Sequence, residues 1–315
     1  MKTARVWAVV VAWNRAALLT ESLDALAAQT RPLDGVVVVD NASTDGTAEV
    51  IRTHGVVSRV VTMPQNMGGA GGFAAGLAAA VVEGADLVWI MDDDTVATPT
   101  ALEVLMQARC AYPGTPALLA ARADWADGRE HPMNAPRRRP WSSCSLREHA
   151  RRVGARPIRT ASFVAILIDS RAVREDGLPL ADFFLWNDDF EYTGRLLRHR
   201  VGLYVPAARV EHRTKVFGNS TADPGPRFVN EVRNKIWTFT RTHSFGLLDT
   251  CTFSGATLVR WAGMLRRAQD RRGMLRQLAG GVAQALHAPR STSAVLSGTP
   301  VAEQVKAIER GAGRA

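Results

Sequence analysis

Along the first hundred or so residues, short uninterrupted apolar runs alternate with stretches of helical period. The Val-rich run at 6–11 reads as a buried strand, and residues 16–29 carry Leu18, Leu19, Leu23 and Leu26 at helical spacing. A second strand at 36–39 ends in Asp40-Asn41. Thr44 and Asp45 are amino-terminal cap candidates for a short helix at 47–52, and a third strand follows at 57–63. Residues 70–83 are Ala-rich and helical, 87–91 form a fourth strand, and Thr98-Pro99 opens another helix with proline in its favoured first turn. Such repeated β-α-β units imply a parallel sheet covered by helices.

Beyond this the pattern loosens. Residues 124–156, with Pro132, Pro136, Pro140 and Arg137-Arg138-Arg139, read as an irregular excursion of the kind that contacts substrate. A strand is expected at 161–168, a helix at 188–200, and strand segments at 202–205 and 209–212. Helical period then dominates to about residue 288. The Ser-, Thr-, Gly- and Ala-rich end reads as a loose tail. No internal repeat is present.

Two strand-like apolar runs stop in acid. Leu87-Val88-Trp89-Ile90-Met91 meets Asp92-Asp93-Asp94, and Phe183-Phe184-Leu185-Trp186-Asn187 meets Asp188-Asp189-Phe190-Glu191. Consecutive like charges gain nothing structurally without a cation, so the pair of clusters suggests a divalent metal at one and proton chemistry at the other. Loops at strand carboxyl ends are where open α/β sheets bind ligands.

Composition adds limits. The chain has 315 residues, 46% hydrophobic, enough for one large domain or two small ones. Lys plus Arg number 39 against 30 acids, and the net charge of +9 points to an anionic partner. Cys110, Cys144 and Cys251 are far apart and show no C-x-x-C spacing, which argues against a disulfide framework or zinc module and suits a reducing cytoplasm. The run before Trp13 is too short for a signal peptide and lacks a cleavage site. No apolar stretch is long enough to span a bilayer.

Two further segments carry chemistry. Asp40 and Asn41 at a strand tip suit a nucleobase edge or ribose hydroxyl, or are an ordinary capped turn. Asn66-Met67-Gly68-Gly69-Ala70-Gly71-Gly72 combines glycines that permit close backbone approach with a helix amino terminus that attracts anions. Its G-x-G-x-x-A match at 69–74 follows the third strand, whereas the dinucleotide fingerprint belongs after the first.

Taken in order, the buried first strand, V-V-D-N-A-S-T-D-G-T, N-M-G-G-A-G-G-F, D-D-D and W-N-D-D-F-E-Y resemble the inverting family-2 glycosyltransferases, across roughly residues 5–240. Within them the chain is most similar to actinobacterial galactofuranosyltransferases and rhamnosyltransferases of cell-wall glycan assembly. The resemblance implies a GT-A fold, an α/β, Rossmann-like mixed sheet with flanking helices and a helical carboxyl-terminal extension. Residues 1–115 would bind the nucleotide sugar, 116–225 the acceptor, and 226–315 would be the basic extension and tail.

Residue by residue, the resemblance implies that Asp40 and Asn41 face uridine or thymidine, and that Asn66, Gly68 and Gly69 lie near ribose and diphosphate. Asp92 and Asp94 would hold Mn²⁺ or Mg²⁺, with His212 as a third ligand, and Asp93 would contact either that site or the donor sugar. Asp189 would be the base, with Asp188 and Glu191 orienting the acceptor or tuning it. Trp186 would face a sugar ring or be a core tryptophan, and Arg233 would lie near the donor. Asn187, between Trp186 and the acidic pair, departs from the close family pattern.

In the last third Phe245, Leu247, Leu248, Phe253, Leu258, Trp261, Met264 and Leu265 interleave with Arg260, Arg266, Arg267, Arg271, Arg272 and Arg276. This fits either helices on an anionic membrane or amphipathic packing on the main domain. The expected function is metal-assisted transfer of a sugar from a UDP- or dTDP-linked donor to a polyprenyl-diphosphate-linked or other glycan acceptor, peripherally at the inner membrane face. A soluble metal-dependent nucleotidyltransferase or dinucleotide-binding enzyme is the alternative. No nucleic-acid-binding motif is present.

Overall fold

The computed structural model describes residues 4–214, 217 and 225–312; Lys2 and the last three residues of the expected tail lie outside them. Its organising element is β1 (Val6–Ala12), buried at every position. It lies between β2 (Gly35–Asp40) and β4 (Leu87–Asp92), parallel to both. Successive side chains of a strand point to opposite faces. Trp7, Val9 and Val11 therefore join one core and Val6, Ala8, Val10 and Ala12 the other. Helices cover both faces, which is why the run has no polar alternation.

On the second of these faces pack α1 (Ala16–Ala27), α2 (Thr47–Thr53) and, after the short β5 (Thr95–Ala97), α4 (Ala101–Ala111). The start of α2 falls at residue 47 as expected, whereas α4 begins at Ala101 and not at Thr98-Pro99. Gly46 caps α2, while Asp45 accepts the Thr47 N–H at 2.9 Å. Residues 95–97 are taken by pairing with β10 before α4 starts.

The opposite face carries α3 (Gly68–Val82), which follows β3 (Arg59–Thr62). A methyl group on Gly76 would stand 2.3 Å from Val9 Cγ1, and one on Gly72 2.5 Å from Val11 Cγ1. These glycines let helix and sheet approach closely. Of the glycines in the G-x-G-x-x-A match, Gly71 is likewise closed in, with Met67 Cβ 2.6 Å from where a methyl group would stand.

Ten strands form one mixed sheet, in the order β3-β2-β1-β4-β9-β6-β10-β8-β7, with β5 on β10. Its second half comprises β6 (Leu118–Asp124), β7 (Arg137–Arg138), β8 (Arg156–Thr160), β9 (Ile166–Asp169) and β10 (Gly202–His212), with α5 (Cys144–Arg152), α6 (Ser170–Asp176) and α7 (Asp188–Leu196) between them. β10 is one strand, carrying an irregularity between Val205 and Arg209. Of the single strand expected at 161–168 only the last three residues are in β9; residues 161–165 link it to β8, and Ala165 there has φ 55°. The irregular excursion contains β7 and α5. The apolar run at 183–187 is not a strand. It follows a 3₁₀ turn, and Phe184, Trp186 and Asn187 all have positive φ.

The carboxyl-terminal third contains α8 (Phe228–Thr240), α9 (Leu247–Arg267), α10 (Arg271–Ala285), α11 (Thr292–Val295) and α12 (Ala302–Ala312). The expected loose tail is instead built into the molecule. Leu296, Val301, Val305 and Ile308 are buried in the core that includes α3. Gly and Ala leave α3 thin, and this apolar stripe supplies the missing cover.

Leu296→Ala should therefore destabilise the fold by about 2–5 kcal/mol, as for other fully buried leucines. Urea unfolding measures this; a loose tail would leave the midpoint unchanged.

Candidate active site

Asp92 is the last residue of β4, and the next two aspartates turn the chain into β5. Because β5 pairs antiparallel with β10, Thr95 lies opposite His212 and the imidazole comes alongside Asp94. His212 Nε2 is 3.1 Å from Asp94 Oδ1. His212 Nδ1 lies 2.9 Å from the Asn134 side-chain oxygen, so that nitrogen carries a proton and Nε2 is the atom turned to the carboxylates. Asn134 in turn donates to Ser162 Oγ at 3.2 Å.

Ligand atoms of Asp92, Asp94 and His212 lie within 4.8 Å of one another. Asp94 Oδ1 is sealed from solvent and, beyond its ion-pair contact with His212, finds no hydrogen-bond donor among the described residues. Two carboxylates and an imidazole, with one buried oxygen unsatisfied, fit a divalent cation. Burial, helped by Asp94, pushes the Asp92 carboxyl up to about 7. For Asp94 burial pulls the same way, but His212 and Arg15 outweigh it and hold it below the usual range. His212 is correspondingly raised, against burial, by Asp94.

Asp93 faces the other way. It accepts the Trp13 N–H at 3.0 Å and Arg15 Nη1 at 3.2 Å, and burial pushes its carboxyl up to about 6. Arg15 also donates to Asp94 Oδ2 at 2.5 Å. Sequence reasoning missed Arg15, although it stands directly after the first strand's exit. Asn134 was hidden in the irregular segment and had no periodic signal.

The second acidic cluster starts α7. The loop before it is fixed from behind by α8, where Asn234 donates to the carbonyls of Phe183 at 2.9 Å, Leu185 at 3.1 Å and Trp186 at 2.7 Å. Arg233 joins it, donating to Phe183 O at 3.0 Å and Asp182 O at 3.3 Å, with its guanidinium over Trp237. Arg233 thus clamps this loop and does not line the cleft, contrary to the donor-side expectation. Asn187 fits the same scheme, donating to Glu231 Oε2 at 2.7 Å.

Asp189 accepts the Phe190 N–H on Oδ1 at 2.7 Å, and the residue lines the cleft. Burial raises its carboxyl, opposed by the Phe190 amide, Lys235 and Arg137. Asp188 is pushed well above the carboxylate range by burial and by Asp189. Glu191 departs from expectation. Two residues past Asp189 turns its side chain about 200° around the helix, into full burial against Arg195 at 2.8 Å and Ser244 at 2.8 Å. It is a structural ion pair.

A cleft of about 580 Å³ joins the two clusters, with Asp92, His212, Gly69, Trp186, Asp188 and Asp189 on its walls. Trp186 is half-buried there and is not a core residue. Asp40, Asn41, Asn66 and Gly68 do not line this cleft. Asp40 closes β2 and accepts the Ser43 N–H at 2.9 Å. Asn41 spends its amide on Gly68 O at 3.0 Å and the Met67 N–H at 2.8 Å, and Asn66 accepts the Gly68 N–H at 2.8 Å. Gly68 has φ 69°, and a side chain there would collide with the Phe184 carbonyl. These residues build the start of α3.

The family model "Glycosyl transferase family 2" matches residues 7–164. The chain belongs to glycosyltransferase family 2. Among curated relatives of this glycosyltransferase, galactofuranosyltransferase GlfT1 of Mycolicibacterium smegmatis is 41% identical over 111 residues, 35% of this chain and 36% of that one. GlfT1 of Mycobacterium tuberculosis is 43% identical over 94 residues, 29% and 31% of the two chains. The matched stretch thus spans about a third of either relative. Staphylococcus aureus TarS 1-349 in complex with UDP-GlcNAc superposes with TM-score 0.63 at 15% identity, over 98% of this chain and 89% of that one. Mannosyltransferase PcManGT from Pyrobaculum calidifontis in complex with GDP-Man and Mn²⁺ gives TM-score 0.54 at 18% identity, over 99% and 87%. The glycosyltransferase has the GT-A fold that the order of its motifs implied.

Asp94→Ala should abolish Mn²⁺ binding, and Asn134→Ala should weaken it about 10–100-fold by freeing the His212 ring. Titration calorimetry reads both; wild-type affinity in Asn134→Ala would show that its hydrogen bond does not orient the ligand.

Proposed function

We propose that this glycosyltransferase is inverting and moves a galactofuranose- or rhamnose-type sugar from a UDP- or dTDP-linked donor to a glycan acceptor carried on polyprenyl diphosphate. One observation carries the reading: Asp92 and His212 of the metal-binding cluster line a single cleft together with Asp189. The partial identity to GlfT1 supports a galactofuranosyl donor. The nucleotide sugars named for TarS and PcManGT support a nucleotide-diphosphate donor.

Asp92, Asp94 and His212 would hold Mn²⁺ or Mg²⁺. A divalent cation there neutralises the charge gathered by the departing diphosphate. Arg15, already engaged with Asp93 and Asp94, adds a second positive group on that side. Asp40 at the tip of β2 keeps one carboxylate oxygen without a protein partner among the described residues, consistent with a contact to the nucleoside.

From the opposite wall Asp189 Oδ2 takes the acceptor hydroxyl proton as that oxygen attacks the anomeric carbon. The new glycosidic bond forms while the bond to the donor phosphate breaks, and the configuration inverts. Burial and the neighbouring Asp189 push the Asp188 carboxyl upward, which favours carrying the pair's charge on Asp189. Trp186 offers an apolar face to a sugar ring. The dinucleotide alternative loses its main support because Gly71 and Gly72 pack against Met67 and Val11.

No helix among the described residues is long and apolar enough to cross a membrane. The basic extension divides. Trp261, Met264 and Met274 form a small core with Phe228 and Val232, and Arg260 pairs with Glu231. Leu247, Leu248, Leu258, Val259, Leu275 and Leu286 stay exposed. Arg266, Arg267, Arg271, Arg272 and Arg276 are exposed on the same helices, which supports peripheral attachment to an anionic membrane at its cytoplasmic face.

Thermal stabilisation by UDP or dTDP with Mn²⁺, but not by NAD, is the direct test of the donor class. Asp189→Asn should keep that stabilisation while losing about 10²–10⁴-fold in turnover; wild-type turnover would place the base elsewhere. Changing Arg266, Arg267, Arg271 and Arg272 together to Gln should weaken sedimentation with anionic liposomes, each charge contributing about 1 kcal/mol. Undiminished sedimentation would make these arginines a solvated helix face.

A further inference from the structure

Lys235 lies on α8, one turn past Glu231, and only 2% of it is exposed. Among the described residues its ammonium makes no hydrogen bond. It sits 3.2 Å from the centroid of the Phe190 ring, against the face of the aromatic residue whose N–H holds Asp189 Oδ1. Arg137 of β7 also lies over that ring, at 5.2 Å. Phe190 itself is held by Phe239, Phe245 and Phe253, with centroids 4.8–6.2 Å away.

A buried ammonium lacking hydrogen bonds is costly. Glu231 does not depend on Lys235 for partners, since Asn187, Arg260 and Trp261 already donate to it. Packing against Phe190 needs no charge, because an apolar chain would fill the same space. The cleft-lining carboxylate within reach of this charge is Asp189, and Lys235 is the foremost cation opposing the effect of burial on it.

We infer that Lys235 is a positioning residue for the transfer reaction, whose ammonium, charged on the acid side of neutrality, favours the ionised Asp189 carboxylate in a site otherwise shielded from water. The inference rests on Asp189 being the base. The charged groups around the pair are Asp188 on α7 itself, Glu231 on α8, Arg137 on β7 and Arg260 on α9, with Asp92 of β4 acting on Asp188. Burial lowers the Lys235 ammonium itself to about 7, with Glu231 and Asp189 opposing and Arg137 and Arg260 reinforcing that shift.

The sign follows directly. A base works deprotonated, so activity rises with pH through the pKa of Asp189. Removing a nearby cation raises that pKa and moves the acid limb to higher pH.

The test is the pH dependence of kcat/KM in Lys235→Met and Lys235→Arg, with donor KM and circular dichroism as controls. Lys235→Met should shift the acid limb upward by about one unit, with donor KM unchanged, and Lys235→Arg should restore the wild-type limb. If Lys235→Met loses activity equally at every pH, or leaves the limb where it was, the residue is only a packing element and the inference falls. Should Lys235→Met fail to fold, an acid limb raised in Lys235→Arg as well would equally overturn it. Asp189→Asn separates the two readings: full activity in that variant removes the base assignment, whereas an inactive Asp189→Asn beside an unshifted Lys235→Met removes only the inference.

Discussion

The side-chain amide of Asn234 supports more of this enzyme than any single carboxylate. Three carbonyls of the loop before α7, those of Phe183, Leu185 and Trp186, lean on it. That loop holds three non-glycine residues at positive φ, each costing about 1–3 kcal/mol. The chain persists in this form because its carbonyls find donors that an extended strand would not offer here. Both acidic residues at the start of α7, the Phe184 carbonyl that rests on Gly68, and the half-buried Trp186 are placed as a result.

Electrostatics then decides what the placed groups can do. Each carboxylate wall carries its own cation: Arg15 on the β4 side, Lys235 and Arg137 on the α7 side. The low dielectric of a cleft makes such pairings stronger and their absence more costly. Asp188 shows the other direction, a carboxyl that burial and the adjacent Asp189 push well above the usual carboxylate range.

The parallel half of the sheet was legible because period speaks plainly there: residues 6–11 and 36–39 have a single reading, and both acidic clusters stood out as charge that needed a partner. The loop at 183–187 was misread because its composition suits a strand and its conformation is set by Asn234, some fifty residues on. Glycines 71 and 72 invited a ligand reading, since close approach of a sheet and close approach of a phosphate demand the same missing side chain. The residues after 288 looked loose because their few apolar positions are spread over two short helices, and only the thinness of α3 explains their burial. Lys235 resembles an ordinary solvated partner of Glu231 four residues before it, and only tertiary packing takes it out of water.

The return of α11 and α12 to the core has a mechanical consequence. The α9–α10 hairpin is tied down at both ends, by α8 before it and by the terminal helices after it, so it behaves as a fixed strut rather than a tether. Whatever surface its exposed leucines and arginines rest upon is held at a set height and tilt relative to the cleft. The exposed leucines and arginines of α9 and α10 are therefore part of one rigid frame with the cleft, so a load on that face is passed to the loop before α7 through α8.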